Sequence, residues 1–316
     1  MFRQALSFLA RVAITACAFW LIFKTVEVEK LRLALVSASP RWLFLGIALF
    51  FLAQAACITR WRLLVPKHPA VTWPLLTDSF FVGSFFNTFL PTTVGGDVMR
   101  SFDLIKATGE WRQSLACVMM DRLVGLTALA VYACAAWAAF PPAQQDHVIR
   151  ASFVGFCLTL LAAFGVLGSR RVLRASLRPF GRIGLGQLSS HANQLQESLR
   201  SYLHRPKALW GAFGISLGIQ AASLGMFLAV SQALHLHIPA LFLLLIVPIV
   251  VTVAQLPISL NGWGIREGAT ILLFGRIGIA ADKALSLSLV SAAVPLLGGA
   301  IGGILFLARK RRRRRS

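Results

Sequence analysis

The stretch that decides the fold is NTFLPTTVGGDVMR, residues 87–100, which interrupts an apolar chain with a proline, two adjacent glycines, an aspartate and an arginine. A second stretch, QLPISLNGWGIREG at 255–268, interrupts the chain in the same way. Proline ends a helix, and the glycines permit a reversal of chain direction. We therefore predict a broken, re-entrant helix at each of the two positions, which are called the first break and the second break.

The composition around these breaks is that of a polytopic membrane protein. Of 316 residues, 57% are hydrophobic, and the mean hydropathy is +0.73. Uncharged runs long enough to cross roughly 30 Å of hydrocarbon occur at 42–59, 123–140, 151–168, 208–234, 238–265 and 284–308. We expect an all-α chain that forms a single integral membrane domain over 1–316, with the apolar segment at 6–23 retained as a further span.

The formal net charge of +21 is concentrated in loops and in the tail at 309–316, which contains RKRRRRR. Basic residues beside a span mark its cytoplasmic end and bind anionic lipids, so a nucleic-acid partner is not expected. This places the tail and the amphipathic basic linker at 169–207 in the cytoplasm, with the linker on the inner leaflet or, alternatively, docked on a partner. The uncharged loops 141–147 and 235–240 face outward, whereas 24–41 fits poorly because it is basic yet placed outside.

The two breaks align at a constant spacing of 166 residues. Leu90-Pro91 matches Leu256-Pro257, Gly96 matches Gly262, and Arg100 matches Arg266, with the flanking apolar spans in register. We interpret this as an internal duplication, with repeat one at about 42–142 and repeat two at about 208–308. The first re-entrant segment starts from the cytoplasm and the second from outside, so the repeats have inverted topology, as in many transporters.

Broken helices at membrane depth are tolerated only where they line a cavity or are buried in protein. The half-helix amides after Gly96 and Gly262 suit an anion. Asp97 is positioned to cap its half-helix, and Arg100 and Arg266 could bind a phosphate through two hydrogen bonds. The alternative is that Asp97 and Arg100 pair with each other and only stabilise the fold.

Other polar residues near the breaks have two possible roles. Asp121-Arg122 is either a cavity site or an anchor at the membrane surface, and the uncharged residues either contact a ligand or satisfy the broken backbone. The candidate substrate-binding residues are Asn87, Thr92, Thr93, Gly95, Gly96, Asp97, Arg100, Asp121, Arg122, Gln255, Ser259, Asn261, Gly262, Gly264, Arg266 and Glu267. We expect no metal, because His235 and His237 lack a third ligand nearby, and no cofactor or nucleotide, because the corresponding motifs are missing.

At these motifs the chain resembles the flippase-like transmembrane family of lysylphosphatidylglycerol synthases and of related free-standing bacterial and archaeal membrane proteins. The resemblance rests on residues 87–100, on DRLVGL at 121–126 and on residues 256–268. It implies a membrane fold with re-entrant segments that moves a lipid or lipid-linked headgroup between leaflets. The positions that carry over are Asn87, Pro91, Gly95, Gly96, Asp97, Arg100, Asp121, Arg122, Gly262, Gly264, Arg266 and Glu267. The family's best-known members carry an additional soluble aminoacyl-transfer domain, which does not follow the membrane region in this sequence.

The sequence therefore predicts a lipid flippase or transporter of a bacterial cytoplasmic (inner) membrane, multi-pass and with a cytoplasmic C-terminus. Its partners would be membrane lipids with an anionic or polyprenyl-linked headgroup, with a separate lipid-synthesising enzyme as a possible further partner. Two alternatives remain. One is an intramembrane headgroup transferase that uses Asp97 or Asp121 as a base, although acidic residues are scarce, with 11 in the chain. The other is an ion-coupled transporter of a small soluble anion, so an enzyme is not the favoured interpretation.

Overall fold

The computed structural model is all-helical in the parts of the chain that it describes, which are residue 20 and residues 28–89, 95–168, 186–255 and 259–313. The helices in chain order are α1 (Val28–Val36), α2 (Pro40–Leu64), α3 (Trp73–Phe89), α4 (Gly95–Thr108), α5 (Trp111–Ala139), α6 (Pro141–Gln145), α7 (His147–Gly168), α8 (Gly186–Ser201), α9 (Pro206–Ala233), α10 (Ala240–Gln255), α11 (Ile265–Gly275) and α12 (Ala281–Arg313). Short 3-10 turns at Tyr202–His204 and Leu260–Gly262 precede α9 and α11. The all-α prediction is confirmed, while the span predicted at 6–23 lies outside the described residues except for Trp20.

Four of the described helices, α2, α5, α9 and the Ala281–Arg309 part of α12, are long and apolar enough to cross a membrane. Each has 25–29 residues, whereas about 20 residues span the hydrocarbon core. Helices α2 and α9 both begin with a proline, which the first helical turn accepts because its amides have no partner within the helix. Large apolar side chains point outward, with Phe44 74% and Trp210 72% exposed. The chain is thus a multi-pass membrane protein.

Both predicted breaks are present as separations between short helices. Helix α3 ends at Phe89 and α4 begins at Gly95, whereas α10 ends at Gln255 and α11 begins at Ile265. Helices α3 and α4 pack closely, since a Cβ added to Gly96 would lie 2.3 Å from the carbonyl oxygen of Gly83. Only glycine permits this approach. Residues 90–94 and 256–258, at the centres of the breaks, lie outside the described residues.

The most extensively packed helix pair, α2 and α9, consists of segments that are equivalent at the spacing of 166 residues. The two helices begin at Pro40 and Pro206, and Gln54-Ala55-Ala56 of α2 recurs as Gln220-Ala221-Ala222 of α9. They run antiparallel, because the Ser39 amide donates to the Ala233 carbonyl at 2.9 Å. An antiparallel pair of equivalent helices is the arrangement that a two-fold axis between two repeats produces.

Two further contacts also join a helix of one half to a helix of the other half. Helix α3 packs on α12, and its equivalent α10 packs on α5, which is the equivalent of α12. The contact of α3 with α12 depends on Gly302, where an added Cβ would fall 1.8 Å from the Phe81 carbonyl oxygen. This packing agrees with an internal duplication. The inverted membrane orientation of the halves stays a prediction.

The described part of the basic linker forms helix α8 and the turn at Tyr202–His204. Leu199 and Tyr202 are buried in the same apolar cluster as Leu64 and Cys117, and the Tyr202 hydroxyl donates to the Leu64 carbonyl at 3.0 Å. In the described part of this helix, Leu195 and Leu199 therefore pack against the protein, whereas the sequence suggested a lipid surface. Residues 169–185 lie outside the described chain.

Candidate functional site

Three charged side chains meet inside the first half of the chain. Asp121 of α5 accepts a hydrogen bond from Arg60 Nε of α2 at 2.8 Å and another from Arg100 Nη2 of α4 at 3.0 Å. Arg60 also donates from Nη1 to the Ser216 hydroxyl of α9 at 3.0 Å. Asp121 is 2% exposed, Arg100 7% and Arg60 8%. One buried carboxylate thus connects two arginines, and the group joins four helices.

The guanidinium of Arg100 is enclosed by aromatic rings as well as by acids. Its Cζ lies 4.2 Å from the centre of the Trp61 ring and 5.2 Å from that of Phe80. Its contact with Asp97, at 3.7 Å, is longer than its contact with Asp121. These surroundings favour a structural role for Arg100. They also exclude a surface anchor at Asp121, one of the two roles that the sequence left open.

A second polar group connects the two halves of the chain. Arg122 of α5 donates from Nε to Asp97 Oδ2 at 2.7 Å and from Nη1 to Gln255 Oε1 at 3.1 Å. Asp97 begins the half-helix after the first break, and Gln255 ends the helix before the second break. The Arg122 side chain is 37% exposed. This arginine therefore links the two breaks and retains access to the surroundings.

The amide group at the start of α4 is hydrogen-bonded by a residue other than Asp97, the cap that the sequence predicted. Asn87 of α3 accepts a hydrogen bond from the Gly96 amide through Oδ1 at 2.7 Å, whereas the Asp97 carboxylate pairs with Arg122. A Cβ on Gly96 would lie 2.6 Å from the Asn87 side chain, so the pair requires glycine. Asn87 thus has the backbone-satisfying role that was one of its two possibilities.

The second break contains a left-handed turn. Asn261, Gly262 and Gly264 have φ of 51°, 76° and 83°, a region that favours glycine and asparagine. The Asn261 side chain donates from Nδ2 to the Thr88 carbonyl of α3 at 3.2 Å. A Cβ on Gly262 would lie 2.5 Å from the Ala254 carbonyl oxygen. The reversal predicted from Asn261 and Gly262 is present, and it rests against the first break.

Arg266 and Glu267 occupy the start of α11. Glu267 is fully buried, accepts from the Gly264 amide at 2.6 Å and accepts from Arg266 Nε at 2.8 Å. The Arg266 guanidinium lies 4.6 Å from the centre of the Trp263 ring. Glu267 therefore caps its helix and orients Arg266. Glu267 is the one acid that pairs with Arg266 among the described residues, and the Arg266 side chain is 23% exposed, so this guanidinium is more accessible than that of Arg100.

Arg266 lines a cavity of about 200 Å³ between α9, α10, α11 and α12, which is called the Arg266 cavity. Its wall is largely apolar and includes Phe227, Val250 and Phe274. The exceptions besides Arg266 are the hydroxyls of Thr270, Ser288 and Ser291. Those of Ser288 and Ser291 are buried and lack a hydrogen-bond partner among the described residues. Buried polar atoms are normally hydrogen-bonded, so this cavity combines one cation with two unused hydroxyls.

The sequence-predicted residues thus fall into three groups. The first ion-paired group contains Asp121 and Arg100. The second contains Arg122, Asp97 and Gln255, and the third contains Arg266, Glu267 and Gly264. Asn87, Gly95, Gly96, Asn261 and Gly262 shape the backbone at the breaks. Ser259 is buried, and its hydroxyl has no partner within the described chain. Thr92 and Thr93 lie outside the described residues.

Several residues of these groups were missed by the sequence analysis. Arg60 was interpreted as a loop residue that follows a span ending at Thr59, but α2 continues to Leu64 and buries it. Arg309 likewise contacts Asp78 and Asp103, and so attaches the end of α12 to α3 and α4, the two helices that flank the first break. The scarcity of acids was a usable signal, because an acid in an apolar region requires a partner.

The described residues contain no group of three or more histidine, cysteine, aspartate or glutamate side chains that could hold a metal ion. His235 is instead part of the turn after α9, with a positive φ of 54° and a ring nitrogen 3.3 Å from the Ser37 carbonyl oxygen. Asp97, Asp121 and Glu267 each pair with an arginine. The polar groups of the breaks are therefore organised as ion pairs.

Comparison with known proteins agrees with this arrangement. The sequence pattern of the lysylphosphatidylglycerol synthase TM region matches residues 8–303. A UPF0104 membrane protein of Methanothermobacter thermautotrophicus is 25% identical over an alignment of 300 positions, and the match covers 86% of this chain and 86% of that protein. The match includes both breaks and the four membrane-length helices except for the end of α12. The chain belongs to the family of the lysylphosphatidylglycerol synthase transmembrane region.

Proposed function

We propose that this protein moves a lipid with an anionic headgroup between the two leaflets of the membrane. The observation that carries the proposal is the Arg266 cavity, whose wall holds a guanidinium and two serines with unpartnered hydroxyls among mostly apolar side chains. A phosphate-bearing headgroup offers acceptors to all three groups. Family membership supports a lipid-related role in the membrane.

The volume of the cavity favours binding of a lipid headgroup alone over enclosure of a whole small molecule. At about 200 Å³ it is smaller than the roughly 300–1,000 Å³ of pockets that enclose whole small molecules. A phosphate with its nearest carbons fits, and the remainder of a lipid stays outside among apolar side chains. The headgroup would cross inside the protein while its tails remain in the hydrocarbon.

The two breaks differ in what their arginines can do. Arg100 is held by Asp121 and by the Trp61 ring, whereas Arg266 shares a single acid and reaches the cavity. Arg266 therefore has the binding role in this proposal, and Arg100 holds the first break in place. Arg122, which is partly exposed between the breaks, is a second contact for the headgroup.

The contacts between the breaks supply a route by which the headgroup reaches either side. Arg122 with Gln255, and Asn261 with the Thr88 carbonyl, are hydrogen bonds that join one half of the chain to the other. If the halves are inverted repeats, opening these contacts from one side or the other gives access to each leaflet in turn. The exchanged helix packing between the halves supports this symmetry.

The intramembrane transferase is less well supported. Its candidate bases, Asp97 and Asp121, already accept hydrogen bonds from arginines, so their carboxylate oxygens are engaged within the protein. We therefore propose transport without covalent change to the lipid. A soluble-anion transporter would use the same Arg266 cavity, so the experiment must separate it from lipid movement.

Leaflet exchange in proteoliposomes tests the proposal. Purified protein is reconstituted with headgroup-labelled glycerophospholipids, glycolipids and polyprenyl phosphates in parallel, and a membrane-impermeant quencher reports the outer-leaflet fraction. Wild type is compared with Arg266→Ala and with the matched control Arg276→Ala, an exposed arginine paired with Asp146 away from the cavity. Uptake of radiolabelled phosphate is measured in the same vesicles, and the lipids are weighed by mass spectrometry.

Exchange of one lipid class that is lost in Arg266→Ala and kept in Arg276→Ala is the expected result. Three outcomes would count against the proposal: uptake of free phosphate without lipid exchange, a lipid product of changed mass, or equal exchange in both variants. The first would favour the soluble-anion transporter, and the second would favour the transferase.

A further inference from the structure

A basic groove lies at one end of the α2–α9 pair, and its lining includes no residue of either break. Two adjacent cavities, of about 410 and about 710 Å³, share Pro66, Gln113 and Arg205 in their walls. They run between the end of α2, the start of α5 and the turn that precedes α9. Together they are called the basal groove, and they belong to neither of the two breaks.

Four cations line the basal groove. These are Lys67, Arg112, Arg205 and Lys207, all of which are exposed. None of them forms an ion pair with a carboxylate of the described chain, and Arg205 lies 6.0 Å from the centre of the Tyr202 ring. Among the described residues of its wall there are four cations and one acid, Glu197, so the groove keeps a net positive charge, which is the property of a surface that attracts an anion.

Most cations of the basal groove are not repeated at the equivalent positions of the other half. At the spacing of 166 residues, Lys67, Arg112 and Arg205 correspond to Ala233, Gly278 and Ser39, at the opposite end of the same helix pair. Only Lys207 has a basic counterpart, which is Arg41. Because the two ends share a backbone arrangement but not these cations, the charge is a specific feature of one membrane side and not a by-product of the repeat.

Apolar side chains flank the basal groove. Leu63, in its wall, is exposed, and Leu203 and Trp210 are exposed close by on the turn before α9 and on α9 itself. Tryptophan next to lysine and arginine at the end of a span is typical of the membrane–water interface. A partner of this surface therefore has an anionic part for the groove and an apolar part for its rim.

We infer that the basal groove docks the headgroup of an anionic glycerophospholipid from the leaflet on its own side of the membrane. Its lysines and arginines place that side in the cytoplasm, where anionic lipids are plentiful. The inference goes beyond translocation, since docking requires no movement of the lipid through the protein. Its test therefore uses binding as the readout.

The test is native mass spectrometry of the full chain in detergent, titrated with phosphatidylglycerol or phosphatidylcholine that carry the same acyl chains. The variant Arg112→Gln/Arg205→Gln removes two groove cations, and Arg41→Gln/Lys283→Gln removes two exposed cations from the opposite end. An anionic lipid surface gains roughly fivefold in affinity per nearby cation. We expect the groove variant to lose at least about fivefold of the preference for phosphatidylglycerol, and the control to retain it.

An equal preference in the two variants would overturn the inference, because the groove would then contribute nothing specific. Competition by glycerol phosphate as effective as that by phosphatidylglycerol would also overturn it, since the site would then take a soluble anion without using its apolar rim. All variants change exposed side chains, so their gel-filtration profiles should match that of the wild type. Leaflet exchange measured on the same samples separates this result from the transport proposal.

Discussion

At the scale of residues, the two breaks show how the same arginine position can have different surroundings. Arg100 and Arg266 are equivalent in sequence spacing, but Arg100 lies between a shared carboxylate and Trp61, whereas Arg266 borders a cavity. The sequence predicted that both positions carry charge inside the membrane. It did not predict the difference, because Arg60, Trp61 and Ser216 come from helices distant in the chain.

Asp121 is the residue on which the buried ion group depends. The change Asp121→Asn leaves Arg60 and Arg100 buried without their shared counter-charge, which typically costs about 3–5 kcal/mol. We expect a marked fall in thermal stability in detergent, followed by tryptophan fluorescence. Asp282→Asn, near the start of α12, is the matched control and should melt with the wild type. Equal melting of Asp121→Asn and wild type would show that the arginines find other partners.

Asp146 gives a pH dependence outside the membrane spans. Hydrogen bonds from the amides of Ile149 and Val148 and contact with Arg276 hold its pKa below its ordinary value of 3.8. Because this pKa is lower in the folded state, the ionised carboxylate stabilises the fold at every pH above its unfolded-state pKa. That stabilisation is lost as the pH falls through the folded-state pKa. The contact should persist at neutral pH and weaken below about pH 3.8.

Amide hydrogen exchange at the start of α7, compared between pH 5 and pH 3, measures this effect. In the wild type, protection of residues 148–150 should fall faster on acidification than protection of the centre of α7. Asp146→Asn should show low protection at both values. Equal protection of the wild type and Asp146→Asn at pH 5 would contradict the proposed role of the carboxylate.

At the scale of elements, the hydropathy pattern and the helix-breaking prolines and glycines predicted the helices well. The apolar runs correspond to α2, α5, α7, α9, α10 and α12, and the two proline–glycine stretches separate short helices as expected. Their ends were less accurate: α2 continues five residues past the predicted Thr59 because Arg60 and Trp61 pack inward. The position of α8 against the protein was also not predicted, because amphipathicity alone does not distinguish a lipid surface from a protein surface.

The close contact between α3 and α12 allows a direct test of how these two helices pack. Gly302→Ala places a methyl group against the Phe81 carbonyl, and overpacking of this kind costs typically about 1–3 kcal/mol. We expect lower thermal stability and a displaced first break. The control is Gly155→Ala in α7, where an added Cβ meets no atom within 4 Å. If the two variants were equally stable, the close contact between α3 and α12 would be wrong.

At the scale of the whole molecule, the account depends on two halves that meet at their breaks. The repeat spacing was visible in the sequence, and the antiparallel α2–α9 pair and the exchanged contacts agree with it. The cavity could not be predicted in the same way, because its walls come from four helices and its two unpartnered hydroxyls lie on α12. Those serines had no distinguishing sequence pattern.

Leaflet exchange after the Arg266 cavity is filled shows most sharply whether the headgroup passes through that cavity. Ser291→Leu reduces the cavity without removing Arg266, and Ala221→Leu adds similar bulk to an exposed position of α9. Both proteins are reconstituted at equal density after their folding has been checked by gel filtration. The account predicts that exchange falls at least tenfold, on the order of 1.4 kcal/mol, in Ser291→Leu and stays at the wild-type rate in Ala221→Leu. Equal exchange by the two variants would show that the headgroup does not pass through this cavity.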